Sequence, residues 1–103
     1  MELLLFVSSH CPVCPRAEKI VKKVVRDYSN ENLDFKKVRI RTSEGKQLSI
    51  ELNIRATPTI VFRNDEGSET KRIVGVPDES QLKKEIDKGV GLKKGFFQKI
   101  FGK

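Results

Sequence analysis

Metal-binding side chains are scarce in this sequence: its 103 residues hold two cysteines, Cys11 and Cys14, and one histidine, His10. A structural zinc site usually takes four ligands from Cys and His. One chain is therefore short of donors unless Asp or Glu contributes or two chains pool their cysteine pairs. Long apolar runs are missing too, and no stretch approaches the roughly 20 residues that span a bilayer. The opening MELLLFV carries the acid Glu2 where a secretion leader would carry positive charge, and it runs into the cysteines without a small-residue cleavage site. A cytoplasmic location is expected. Acidic residues are absent from 91–103, which holds four of the seven net positive charges as Lys93, Lys94, Lys99 and Lys103. No internal repeat and no low-complexity segment is present.

What remains is the pattern of one globular domain. Leu3-Leu4-Leu5-Phe6-Val7 is continuously apolar, as in a strand covered on both faces. From Pro12 onward the period changes: Ala17, Ile20, Val21, Val24, Val25 and Tyr28 form a helical stripe, with Ser29-Asn30 as its stop. Pro12 and Pro15 fit the first turn of that helix, where missing backbone donors cost little. A second strand over Leu33 to Ile40 changes its apolar face between Phe35 and Val38, which suggests an irregularity there. Ser43 can cap a short helix bearing Leu48 and Leu52, and Asn53 can end it in a left-handed conformation. Thr59 to Phe62 reads as a third strand, Asn64 to Gly67 as a hairpin turn, and Thr70 to Val74 as a fourth strand. A last helix begins near Pro77-Asp78, with Gln81 in capping-box relation to Asp78, and carries Leu82, Ile86 and Val90 inward. The order βαβαββα predicts an α/β fold, a four-stranded mixed sheet with helices on both faces. The boundary of the domain falls at Gly89-Val90-Gly91, giving a body of 1–90 and a tail of 91–103.

Cys11 lies between the end of a buried strand and the start of a helix, where free N–H groups and the positive end of the helix dipole favour a thiolate. The thiolate is the species that attacks disulfides. Cys14 returns to the same helix end in a more buried place, suited to resolving the mixed disulfide. A reducing compartment rarely keeps structural disulfides, so a C-x-x-C pair there is redox-active or metal-binding before it is a staple. The competing readings are half of a shared zinc site and two small core residues.

Cys11-Pro12-Val13-Cys14, the Thr57-Pro58-Thr59 segment before a strand and Gly75 after the last strand together resemble the thioredoxin/glutaredoxin family, over residues 2–88. The resemblance implies a thioredoxin-like fold and a disulfide oxidoreductase with Cys11 as nucleophile and Cys14 as resolving cysteine. It implies that the bond before Pro58 is cis, that the Thr57 backbone pairs with extended substrate chains, and that Gly75 lets a partner approach. Leu5 stands where thioredoxins carry a buried acid, and His10 where they carry tryptophan. The paired glycines with which glutaredoxins hold glutathione are replaced by Arg72-Ile73-Val74-Gly75-Val76. A protonated His10 would stabilise the Cys11 thiolate; otherwise it is a loop histidine in water.

In the tail, Leu92, Phe96, Phe97, Ile100 and Phe101 would share one side of a helix flanked by lysines. Such a helix can pack on the body, lie on an anionic membrane or enter a partner's groove. The expected function is reduction of protein disulfides by a monomer. It needs no cofactor or nucleic acid, and a dithiol reductase or low-molecular-weight thiol supplies the electrons. The rival is a binding module with an inert C-x-x-C whose tail carries the function.

Overall fold

The computed structural model describes residues 1–28 and 33–97, with side chains described through 89. Four strands, β1 (Glu2–Val7), β2 (Asp34–Arg39), β3 (Thr59–Arg63) and β4 (Glu69–Val74), alternate with helices α1 (Cys14–Arg26), α2 (Ser43–Glu51) and α3 (Glu79–Phe97) in the expected order. The sheet runs β2-β1-β3-β4. β1 is parallel to β2 and antiparallel to β3, and β3 is antiparallel to β4. The sheet is mixed because a helix crossover joins the first pair and a hairpin the last.

The leucine run forms the centre of this sheet. Leu3, Leu4, Leu5 and Phe6 have no exposed surface. Burial of one such side chain contributes about 1.5–3 kcal/mol. Leu3, Leu5 and Val7 pack with Ile60, Phe62, Val21, Val24, Leu82 and Ile86, so α1 and α3 cover one face. Leu4 and Phe6 pack with Val38, Val61, Leu48 and Leu52, so α2 covers the other.

Several boundaries differ from the sequence reading. The β1–β2 register is unbroken from Glu2↔Asp34 to Val7↔Arg39, so Phe35 and Val38 lie on opposite faces with no irregularity between them. Both faces are covered by helices and both accept an apolar residue. The irregularity of the sheet lies instead between Phe62 and Arg63. Helix α1 begins at Cys14, not Pro12, and Pro15 occupies its first positions. Helix α2 is capped by Thr42, whose Oγ1 accepts from Gly45 N at 3.0 Å, and Ser43 is already helical. Asn53 takes the left-handed conformation at φ 56°. Arg72 closes the other end of α2, donating to Leu52 O at 2.6 Å and Asn53 O at 3.2 Å while Glu69 holds it through paired contacts at 2.8 Å. A guanidinium there satisfies orphan carbonyls and opposes the negative end of the helix dipole.

Helix α3 continues through Gly89 and Gly91 to Phe97, so no backbone break marks the proposed boundary at 89–91. The Ser29-Asn30 helix stop, the side chain of Val90 and the apolar stripe of the tail lie outside the described residues. Among the described residues no helix is long and apolar enough to cross a membrane.

Candidate active site

The two cysteines sit where β1 hands over to α1. Beyond Val7 the chain turns back, with Cys11 N donating to Ser8 O at 3.2 Å. Cys11 and Cys14 are joined by a disulfide with their Cα atoms 5.4 Å apart. The two sulfurs differ in access: Cys14 is 3% exposed and Cys11 is half-buried. An incoming thiolate therefore reaches Cys11 first.

The disulfide holds the Cys11 sulfur over the first turn of α1. That turn has no side-chain cap and no acidic residue. Pro15 removes one of the N–H groups but leaves the dipole, so a thiolate formed here meets positive potential with no competing carboxylate in the turn.

On the opposite side of Cys11, its Sγ lies 3.5 Å from Thr57 O. The Thr57–Pro58 bond is cis, as the family resemblance implies. Thr59 Oγ1 donates to Ala56 O at 2.6 Å and Gly75 N donates to Pro58 O at 2.9 Å. These bonds fix the loop in front of β3 and tie it to the end of β4. Gly75 has φ 98° and open space beside it, so the backbone conformation, not a close approach, demands glycine. Cys11, Cys14, Thr57, Pro58 and Gly75 thus converge at one end of the sheet, beyond the ends of its strands. His10 is exposed; its backbone N–H donates to Ser8 Oγ at 3.3 Å, and no ring contact with either sulfur is present among the described residues. The exposed apolar residues Val13, Val74 and Val76 stand in the loop between the cysteines and on either side of Gly75.

A cleft of about 430 Å³ opens on the β2 side of the disulfide, lined by Cys11, Cys14, Glu18, Lys37, Arg39 and Arg41 among others. Within it, Lys37 Nζ donates to both Glu18 carboxylate oxygens at 3.1 Å, joining β2 to α1. Lys22 pairs with the same carboxylate at 2.8 Å. The sequence reading missed this group, although Glu18 follows Cys14 by four residues and so shares its side of the helix. Hydrogen bonds from Lys22 and then Lys37 hold the Glu18 carboxyl below its ordinary value of 4.5. A carboxylate more acidic in the folded chain stabilises the fold above its unfolded value, and the contribution fades as pH falls through the lower folded value. Glu18→Gln is accordingly expected to be less stable than wild type at neutral pH, with the gap closing below pH 4.5. Denaturant titrations at both ends of that range measure it, and a pH-independent gap would exclude the linkage. Among the described residues no three His, Cys, Asp or Glu side chains are grouped to hold a metal.

Comparison with known proteins agrees with this geometry. A family model described as a thioredoxin-like domain matches residues 2–89. A probable thioredoxin of Archaeoglobus fulgidus is 38% identical over 84 residues, covering 82% of this chain and 84% of that one. A thioredoxin of Methanocaldococcus jannaschii is 34% identical over 89 residues, covering 85% of this chain and 94% of that one. The solved structure of thioredoxin 1 from Thermosipho africanus superposes with a TM-score of 0.74 over 91% of this chain and 99% of its own, at 16% identity. That last likeness concerns the fold.

Proposed function

The chain belongs to the thioredoxin-like family and is a thiol–disulfide oxidoreductase, and on that premise we propose that it reduces protein disulfides, with Cys11 attacking and Cys14 resolving. The observation that carries the assignment of roles is the difference in access between two bonded sulfurs at one helix start: half-buried Cys11 against 3% exposed Cys14. Reduced Cys11 attacks a substrate disulfide as the thiolate and forms a mixed disulfide. Cys14 then attacks the Cys11 sulfur, releases the substrate thiolate and restores the Cys11–Cys14 bond. Thr57, Pro58 and Gly75 would receive the substrate backbone beside Cys11, as a short strand addition. A dithiol reductase or a low-molecular-weight thiol would return the electrons to a monomeric protein in a reducing, cytoplasmic setting.

Insulin reduction tests this reading. With dithiothreitol as donor, the protein is expected to accelerate precipitation of the insulin B chain well beyond dithiothreitol alone. A rate equal to the thiol blank would favour the binding-module alternative.

For residues 91–103 we propose packing against the body of the domain in preference to a membrane or a partner. Gly91 and Gly95 weaken a free-standing helix, and the apolar residues gain most from a surface already present. Removal of 92–103 is expected to lower the melting temperature and to leave pelleting with anionic phosphatidylserine vesicles unchanged. Pelleting by the full chain alone would point to the membrane instead.

A further inference from the structure

The order β2-β1-β3-β4 places the cysteine pair between two unlike surfaces. Cys11 follows β1. On one side, at the end of β4 and the start of β3, lie Gly75, the cis Thr57–Pro58 bond and the exposed apolar Val74 and Val76. This side carries hydrogen-bonding backbone and apolar side chains. On the other side, one strand spacing away (~4.8 Å), β2 ends in Arg39 and leads through Arg41 into α2, and both arginines line the cleft that also contains the two cysteines.

The charges of that cleft do not cancel. Lys37 is neutralised by Glu18, which also holds Lys22. Arg39 and Arg41 are exposed and form no ion pair among the described residues. Arg39 spends its backbone carbonyl on Thr42 N and Thr42 Oγ1, and its guanidinium has no partner among the described residues. Two arginines beside a reactive sulfur, with the one carboxylate of the cleft already paired, form a receptor for anionic groups.

We propose that the substrates are protein disulfides with an acidic segment on one side of the attacked cysteine, seated over Arg39 and Arg41, and an uncharged apolar segment on the other, seated at Pro58 and Gly75. The proposal rests on the exchange reading above and adds a polarity to it. A substrate chain lying across this end of the sheet meets apolar surface on one flank of its sulfur and positive charge on the other. Its register is thereby set before exchange begins. The +7 net charge of the chain assists the encounter at long range.

The test uses the full-length reduced protein and synthetic peptides carrying a single intramolecular disulfide. Glu-Glu, Ala-Ala or Lys-Lys is placed N-terminal or C-terminal to the attacked cysteine, and the second-order rate of peptide reduction is read at low and high salt. In one of the two placements the Glu-Glu peptide is expected to react about five- to tenfold faster than Ala-Ala and the Lys-Lys peptide slower. The difference should shrink in 1 M salt, where charges are screened within roughly 3 Å. Arg39→Glu/Arg41→Glu should reverse the order, and Arg39→Ala/Arg41→Ala should erase it. Each variant's peptide rates are divided by its own rate with neutral hydroxyethyl disulfide, because a change of charge beside Cys11 also alters the reactivity of its thiolate. Equal rates for the three peptides in both placements, or a preference that survives the reversal, would overturn the proposal while leaving the exchange reading intact. Failure of wild type to reduce hydroxyethyl disulfide would overturn both.

Discussion

Cys11→Ser is expected to abolish insulin reduction, lowering the rate by at least about a thousandfold, or roughly 4 kcal/mol of barrier. A serine hydroxyl has no accessible anion at neutral pH, and the uncapped α1 terminus that favours a thiolate cannot lower a hydroxyl far enough to replace it. Cys14→Ser should behave differently. Its more accessible, half-buried partner still attacks, so one substrate molecule is captured as a mixed disulfide and stays there, because nothing buried behind it can release it. Intact-mass spectrometry after mixing with a disulfide substrate reads the adduct directly. Adducts on Cys11→Ser and none on Cys14→Ser would reverse the assignment of attacking and resolving sulfurs.

Gly45→Ala is expected to cost about 3 kcal/mol or more of folding stability, against a helix propensity that taken alone would favour alanine by about 1 kcal/mol. Gly45 is buried in the first turn of α2, and a Cβ there would fall 1.8 Å from Arg39 O and 2.7 Å from Arg39 C. The obstacle is backbone, and that carbonyl is already held by Thr42 N at 3.1 Å and Thr42 Oγ1 at 2.9 Å. Relief requires α2 to move away from the end of β2. That movement would also break the Thr42 cap, worth about 1 kcal/mol. A lower denaturant midpoint at unchanged slope is the expected signature. A midpoint matching wild type would mean that α2 slides freely over the sheet.

These two variants also mark how far the sequence could be read. Cys11 and Cys14 were legible because a continuous apolar run, a pair of cysteines and a helical stripe follow one another, and each signal is local. Leu3 to Val7 announces a strand covered on both sides, and such a strand belongs at the centre of a sheet. Gly45 gave no warning, because its constraint comes from Arg39 across a turn and its backbone is ordinary helix. Phe35 and Val38 misled for the opposite reason: an apolar residue on each face looks like a slip when only one face is taken to be buried. Thr42 and Ser43 are both competent caps, and only the path of the chain out of β2 selects the first. The Glu18–Lys37 pair needed the parallel pairing of β1 with β2, which sets Lys37 opposite Leu5 and under α1. Leu5 itself is fully buried against apolar neighbours, so the acid that shares the cleft with Cys14 comes from a helix and not from the central strand.

The contact between Cys11 and Thr57 joins residues 46 positions apart. A ribosome adding roughly 5–20 residues per second delivers the cysteines several seconds before the loop that faces them. For that interval β1 has emerged without its antiparallel partner β3, and the cysteine pair has no Pro58 or Gly75 beside it. The nascent chain therefore carries its sulfurs before it carries the loop and strand ends that flank them. Whatever oxidises or captures Cys11 in that window meets a thiol that does not yet have the Thr57 carbonyl beside it.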